Sequence, residues 1–280
     1  MREVHFNDIV HAVKNLCMDA NYHLGSDVVD AFQKALTTEE SAVGKDVLNQ
    51  LIENAQIATM EKVPMCQDTG LVVCFVELGQ DCHITGGRLY DAINEGIRQG
   101  YKEGYLRNSI VKDPLERVNT GDNTPGVIHV ELVEGDQCTI HMAAKGFGSE
   151  NMSRLKMMKP ADGMEAVKEF VLETVKLAGP NACPPMIVGV GLGGNFEKSA
   201  FLAKKSLLRH VGERNPREDI ARLEDELIER INQLGLGPQG MGGRTTALDV
   251  HVEVYATHIA GLPVAVNINC HASRHKTAVL

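Results

Sequence analysis

At 280 residues with 43% hydrophobic content, the chain is long enough to bury a sizeable core as one large domain or two small ones. Its formal charge of −9, with no lysine- and arginine-dense run carrying interleaved aromatics, argues against a nucleic-acid partner, whose phosphates demand a basic face. No apolar run approaches a membrane span, no charged-then-apolar leader opens the chain, and the cysteines are odd in number, so the expectation is a cytoplasmic protein with thiols rather than disulfides.

Apolar residues at helical spacing predict three helices, over about residues 5–20, 26–36 and 40–61, with Thr38 and the glutamate after it reading as the start of the third. The pattern changes at the loop Pro64–Gly70 into a strand, Leu71 to Leu78, followed by a helix near Gly87 to Glu103. A polar stretch bearing proline and glycine runs on to Gly126, and an irregular segment of that length is usually functional or mobile. Residues Val127–Val133 and Gln137–Ala144 alternate around the turn Glu134-Gly135-Asp136, which predicts an antiparallel hairpin. After the loop Lys145–Asn151, a helix from about Asp162 to Ala178 stops at Gly179-Pro180 and delivers Cys183, whose backbone two following prolines are expected to hold extended. Met186-Ile187-Val188 leads into the glycine-rich run Gly189–Gly194 and a helix from Phe196 to Arg209. Ile220, Leu223, Leu227 and Ile231 mark an amphipathic surface helix over 216–233, and a second glycine-rich loop, Gly235–Gly243, precedes strands at Ala247–Thr257 and Val264–Ile268. The fold class expected is α/β: an N-terminal helical region packed on mixed sheets with flanking helices, the cysteine-bearing loops lying between elements. The whole chain, 1–280, reads as one domain, with 1–62 as a helical subregion.

Three cysteines sit in turn-like segments far apart in the chain: Cys66, Cys183 and Cys270. Three thiolates brought together by folding can hold an iron–sulfur cube whose fourth iron stays open as a Lewis acid. From placement alone, seven plain thiols in a reducing compartment is the competing reading. Cys17 falls in a helical pattern and Cys74 and Cys138 in strands, where a thiol is a small buried hydrophobe. Cys82, in a loop beside His83, is a weaker ligand candidate. No C-x-x-C occurs, which disfavours a zinc ribbon; His271 and His275 have the spacing of a zinc pair on a short helix but lack the glutamate of H-E-x-x-H. The G-x-G-x-x-G of Gly189–Gly194 suggests a nucleotide-binding alternative, yet residues 216–233 read as helix where a dinucleotide site wants a second strand ending in an acid. A glycine-rich turn allowing close backbone approach, its N–H groups able to face an anion, is the preferred reading of that run.

Taken together and in order, Met65-Cys66-Gln67-Asp68-Thr69-Gly70, Lys145-Gly146-Phe147-Gly148-Ser149-Glu150-Asn151, Asn181-Ala182-Cys183-Pro184-Pro185, Gly189–Gly194 and Asn267-Ile268-Asn269-Cys270-His271 resemble the alpha subunit of the iron–sulfur class I fumarate hydratase and L-tartrate dehydratase family, over essentially the whole chain. The resemblance implies a [4Fe–4S] cluster held by Cys66, Cys183 and Cys270, with its open iron on the substrate hydroxyl and an adjacent carboxylate. It implies Asp68 and His258 as catalytic groups and Gln67, Arg107, Gly146 and Gly148 as substrate-binding ones. The family often carries three consecutive glycines at the Lys145 loop, where Phe147 stands in the middle here, which bears on the backbone contact carried over to Gly146 or Gly148. Each residue also has a plain reading: Arg107 a surface ion pair, Asp68 a turn cap before Leu71, His258 a satisfied residue at a strand end.

The implied reaction, reversible hydration of fumarate to L-malate or alternatively dehydration of L-tartrate, suits these residue types. A poorly acidic proton must leave from beside one carboxylate while hydroxide departs from the neighbouring carbon, so a base, a Lewis acid and cationic or N–H donors toward a small dicarboxylate are all needed. The related single-chain enzymes continue into a second domain that contributes the base and further cations. The resemblance therefore implies an oxygen-sensitive subunit that works with a beta subunit, as a heterodimer or heterotetramer.

Overall fold

The computed structural model describes residues 2–280 and has mixed α/β architecture. In chain order the elements are β1 (Arg2–His5), α1 (Phe6–Tyr22), α2 (Ser26–Thr38), α3 (Ala42–Glu61), β2 (Leu71–Gly79), β3 (Cys82–Thr85), α4 (Leu89–Glu103), β4 (Val127–Val133), β5 (Cys138–Lys145), α5 (Phe147–Glu150), β6 (Arg154–Met158), α6 (Gly163–Ala178), β7 (Met186–Gly194), α7 (Phe196–Ser206), α8 (Glu218–Asn232), β8 (Ala247–Thr257), β9 (Leu262–Asn269) and β10 (His275–Val279). They fall into two compact units, one of Met1–Leu24, Ala55–Phe147 and Arg274–Leu280, the other of Gly25–Asn54 and Gly148–Ser273. The three predicted N-terminal helices are present, but Thr38 ends α2; the cap of α3 is Ser41, whose hydroxyl accepts the Gly44 N–H at 3.1 Å.

In the first unit the main sheet runs β10-β5-β2-β4, beside a separate parallel pair, β1 and β3. Val72 to Val76 of β2 are all buried, the signature of a central strand. Ile9, Val13 and Cys17 of α1 and Ile93, Ile97 and Tyr101 of α4 pack with Val72, Cys74, Ile140 and Met142 into one core. The predicted β4–β5 hairpin does not form. β2 lies between the two strands, parallel to β4 and antiparallel to β5. The end of β2 occupies the space inside the loop: Gly79 N–H donates to Gln137 O at 2.8 Å, Gln80 N–H to Val133 O at 2.9 Å and Asp81 N–H to Gly135 O at 2.9 Å. A strand apolar on both faces gains more from two neighbours than two half-exposed strands gain from each other.

In the second unit the sheet runs β6-β9-β7-β8, with β7 parallel to β8 and antiparallel to β9. Val188, Val190, Val250, Val252, Val266 and Ile268 meet Phe170 and Val175 of α6 and the predicted apolar stripe of α8. The run Gly189–Gly194 is part of β7 rather than a turn. A Cβ on Gly189 would stand 2.1 Å from Ala203 O and one on Gly191 2.0 Å from Ser199 O, so these glycines let α7 lie directly on the strand. A dinucleotide fingerprint needs its glycines in the turn after the strand, with N–H groups turned to phosphate; the strand ladder takes that geometry away.

Strand β8 forms an edge whose outward groups are engaged by side chains. Val252 N–H donates to Glu224 Oε1 at 2.8 Å, Val252 O accepts from Asn215 Nδ2 at 2.8 Å, and Ala247 N–H donates to Asn232 Oδ1 at 2.9 Å. The buried Glu224 is in turn held by Arg209 at 2.7 Å. Among the described residues, no helix is long and apolar enough to cross a membrane.

Candidate active site

Within the first unit, the antiparallel register Leu71↔Lys145 brings the loop before β2 and the loop after β5 to the same end of the sheet. Asp68 joins them: Oδ1 accepts the Gly70 N–H at 3.0 Å and Oδ2 the Phe147 N–H at 2.8 Å. The residue that departs from the glycine pattern thus spends its backbone donor on Asp68. Thr69 Oγ1 accepts the Arg107 N–H at 2.9 Å and donates to Arg107 O at 3.3 Å, tying the segment after α4 to the same loop. Tyr101 OH donates to Thr69 O at 2.7 Å, and burial pushes this phenol well up, so it remains a donor. Cys66, Gln67, Asp68, Arg107 and Gly146 are accordingly collected in one unit, with the Gln67 and Arg107 side chains exposed and Cys66 half-buried.

Within the second unit, the short 3₁₀ turn Gly179–Ala182 closes with Cys183 N–H donating to Pro180 O at 3.0 Å. That bond turns Cys183 into the left-handed region, φ 51° and ψ 66°, and not the extended form expected from the prolines after it. A side chain held there costs about 1 kcal/mol or more and persists only where the surroundings impose it. His271 supplies part of that constraint, its N–H donating to Cys183 O at 3.3 Å and its Nδ1 lying 3.1 Å from the same oxygen. Gln239 supplies more, with backbone N–H and Nε2 both donating to Pro184 O at 2.8 Å. The Cys183 and Cys270 loops are therefore neighbours. Gly148 adjoins the same turn, since a Cβ there would lie 3.3 Å from Asn181 O.

The zinc pair suggested by His271 and His275 is not realised: no helix follows Cys270, and His275 opens β10. His258 stands exposed in the turn between β8 and β9, where its Nδ1 accepts the Ala260 N–H at 3.2 Å and its carbonyl accepts the Gly261 N–H at 2.9 Å. A neutral ring with an accepting Nδ1 carries its proton on Nε2. Sequence reasoning missed Thr69, Tyr101, Gln239 and Arg274; only Thr69 lies inside a segment that the motifs marked.

The seven cysteines sort by surroundings, and none is in a disulfide. Burial pushes Cys74 up to about 12 and Cys138 up to about 11, raises Cys17 well above its ordinary value, and raises Cys82, which lies in β3 rather than in a loop. These four are thiols at neutral pH. Cys66 and Cys270 are half-buried and Cys183 is exposed, all on loops. Soft sulfur donors of that kind fit the irons of a cluster. Among the described residues, no three His, Cys, Asp or Glu side chains are grouped to share a single metal ion. A cube makes a different demand, one thiolate for each ligated iron.

The model of the fumarate hydratase (Fumerase) family matches residues 10–279. A putative L(+)-tartrate dehydratase subunit alpha of Methanocaldococcus jannaschii is 43% identical over 273 residues, 95% of this chain and 95% of that protein. An L(+)-tartrate dehydratase subunit alpha of Escherichia coli is 34% identical over 275 residues, 97% of this chain and 90% of its own, and that of strain K12 is 33% identical over 278 residues, 98% and 91%.

Proposed function

Since the chain belongs to the fumarate hydratase (Fumerase) family of hydro-lyases, we propose that it is the cluster-bearing alpha subunit of an enzyme that reversibly hydrates fumarate to L-malate. The observation that carries this reading is the division of the thiols: those of the three family-type motifs lie half-buried or exposed on loops, while Cys17, Cys74 and Cys138 are buried in helix and strands and the half-buried Cys82 lies in a strand. When bound by Cys66, Cys183 and Cys270, a [4Fe–4S] cluster supplies a Lewis-acidic iron open to the substrate hydroxyl.

The chain's own groups divide the remaining work. The exposed Arg107 guanidinium, its main chain fixed by Thr69, pairs with a substrate carboxylate through parallel N–H bonds. Gln67 and the backbone at Gly146 and Gly148 orient the same dicarboxylate. Asp68 and His258 are the catalytic groups of this chain, Asp68 presenting a carboxylate already fixed by two N–H donors. In dehydration the C–H bonding pair becomes the new C=C bond, hydroxide leaves with its own pair, and the proton passes to a base that we assign to a beta subunit. That partner is supported by relatives named as alpha subunits.

The names of those relatives equally favour a second substrate, L-tartrate. The test is to purify the chain anaerobically, load it with iron and sulfide, and assay fumarate and L-tartrate with and without a beta subunit of the same family. Turnover is expected only with the partner, and the ratio of kcat/KM values decides the substrate. Substantial turnover by this chain alone would reject the two-subunit reading.

A further inference from the structure

Arg274 is 3% exposed, and its hydrogen bonds go to neutral oxygens. Nη1 donates to Asp68 O at 2.6 Å and to Asn21 Oδ1 at 3.1 Å, while the buried Nε has no hydrogen-bond partner. A buried cation is costly unless its surroundings compensate it. Part of the compensation comes from α1, because Asn21 lies in the last turn of that helix, where the carbonyl end of the macrodipole favours positive charge. The rest of the arrangement makes sense if the residue is kept for what it holds.

Two contacts hold the segment 65–68, and a third ties their sources together. Asn21 O accepts the Met65 N–H at 3.0 Å, Asn21 Oδ1 accepts from Arg274, and Arg274 reaches past it to the Asp68 carbonyl. The Arg274 main chain is itself anchored, its carbonyl accepting the Ala144 N–H at 2.9 Å at the end of β5. Gly146 leaves the necessary room, since a Cβ there would lie 3.2 Å from Arg274 Nη2 and 3.3 Å from Asp68 Oδ2. The guanidinium and the Asp68 carboxylate thus flank one glycine.

We infer that Arg274 is a positioning residue, a brace behind the Cys66–Gly70 loop that sets where Cys66, Gln67 and Asp68 stand. One terminal nitrogen, Nη1, reaches the helix end and the loop carbonyl together, and the planar guanidinium fixes the directions of its two N–H bonds where a freely rotating ammonium does not. The kinetic consequence rests on the hydro-lyase reading above; the structural consequence does not.

The experiment uses the full chain with Arg274→Gln and Arg274→Lys, folding being checked by circular dichroism. In cluster-free protein, iodoacetamide labelling of Cys66 is followed by mass spectrometry against Cys183. Loss of a charge-assisted hydrogen bond should raise the Cys66 rate relative to Cys183 by about tenfold in the Gln variant and about twofold in the Lys variant. An unchanged ratio in whichever variant folds overturns the inference, and so does a parallel rise at both cysteines, which marks general loosening. With cluster and partner restored, kcat should fall by about tenfold or more in the Gln variant while KM stays within about threefold. A rise in KM alone would make Arg274 a substrate contact and reject the positioning role. Should wild-type protein turn over neither fumarate nor L-tartrate, the labelling result would still decide for or against the brace.

Discussion

Cys74 and Cys66 are eight positions apart in the chain, yet one is sealed in a strand core and the other lies at the mouth of a loop. Replacing Cys66, Cys183 or Cys270 by serine is expected to abolish the brown cluster absorbance and the hydro-lyase activity together, because each would remove one of the three proposed anchors. Cys74→Ala should leave iron and sulfide content intact and lower stability by about 1 kcal/mol, read by urea unfolding. Iron retained in any of the three serine variants would remove that residue from the ligand set. At this scale the motif residues were legible because their chemistry is written in contiguous letters. The left-handed Cys183 was not, because the 3₁₀ bond from its N–H to Pro180 outweighs the extended bias of the prolines. Arg274, Tyr101 and Gln239 were invisible for a related reason: their partners lie tens to hundreds of positions away and come near only on folding.

Among elements, the contact of α7 with β7 depends on the absence of a side chain. Gly191→Ala would drive a methyl into the Ser199 carbonyl, and an overpacked backbone contact of this kind should cost about 3 kcal/mol, visible as a fall in Tm of about 6–12 °C. Glu39, between α2 and α3, makes a pH-dependent join. Burial by itself would raise its carboxyl, but N–H donors from Ser41, Arg244 and Thr245 outweigh that and bring it to about 2 from its ordinary 4.5. A depressed carboxyl contributes stability above its unfolded value and loses it as pH falls through the folded one. Glu39→Gln should therefore be less stable than wild type by about 2 kcal/mol at neutral pH, with the difference shrinking as pH drops from about 5 toward 2. A difference in urea midpoint that stayed constant across that window would refute the account. The longer helices were legible from apolar spacing, and so was the strand character of β2, β4, β5, β8 and β9. Pairing was not, since alternation in β4 and β5 says which face is inward and nothing about the strand that comes between them. Strands of four or five residues such as β1, β3, β6 and β10 are too short to show a period.

For the whole molecule, a net charge of −9 is compatible with the proposed dicarboxylate substrate only if positive charge is concentrated locally, a role the proposal gives to the exposed Arg107. An iron without a protein thiolate is the one most readily lost to oxygen, so activity of the loaded enzyme should decay in air and return with ferrous iron and thiol. Activity and absorbance that survived prolonged aeration would contradict a three-cysteine site. The α/β class was legible from the succession of periods, whereas the division into two units was not. Each is assembled from separated stretches, residues 25–54 belonging with 148–273, and no shift in composition marks the crossings.

Unsealed sheet borders are where folded proteins recruit one another into insoluble stacks. In this chain the carboxylate of Glu224 and the carboxamides of Asn215 and Asn232 stand guard along the rim of β8, answering in advance the donors and acceptors that a stray peptide would seek. The ion pair between Arg209 and Glu224 thus helps to close this border against strangers as well as to hold the fold together.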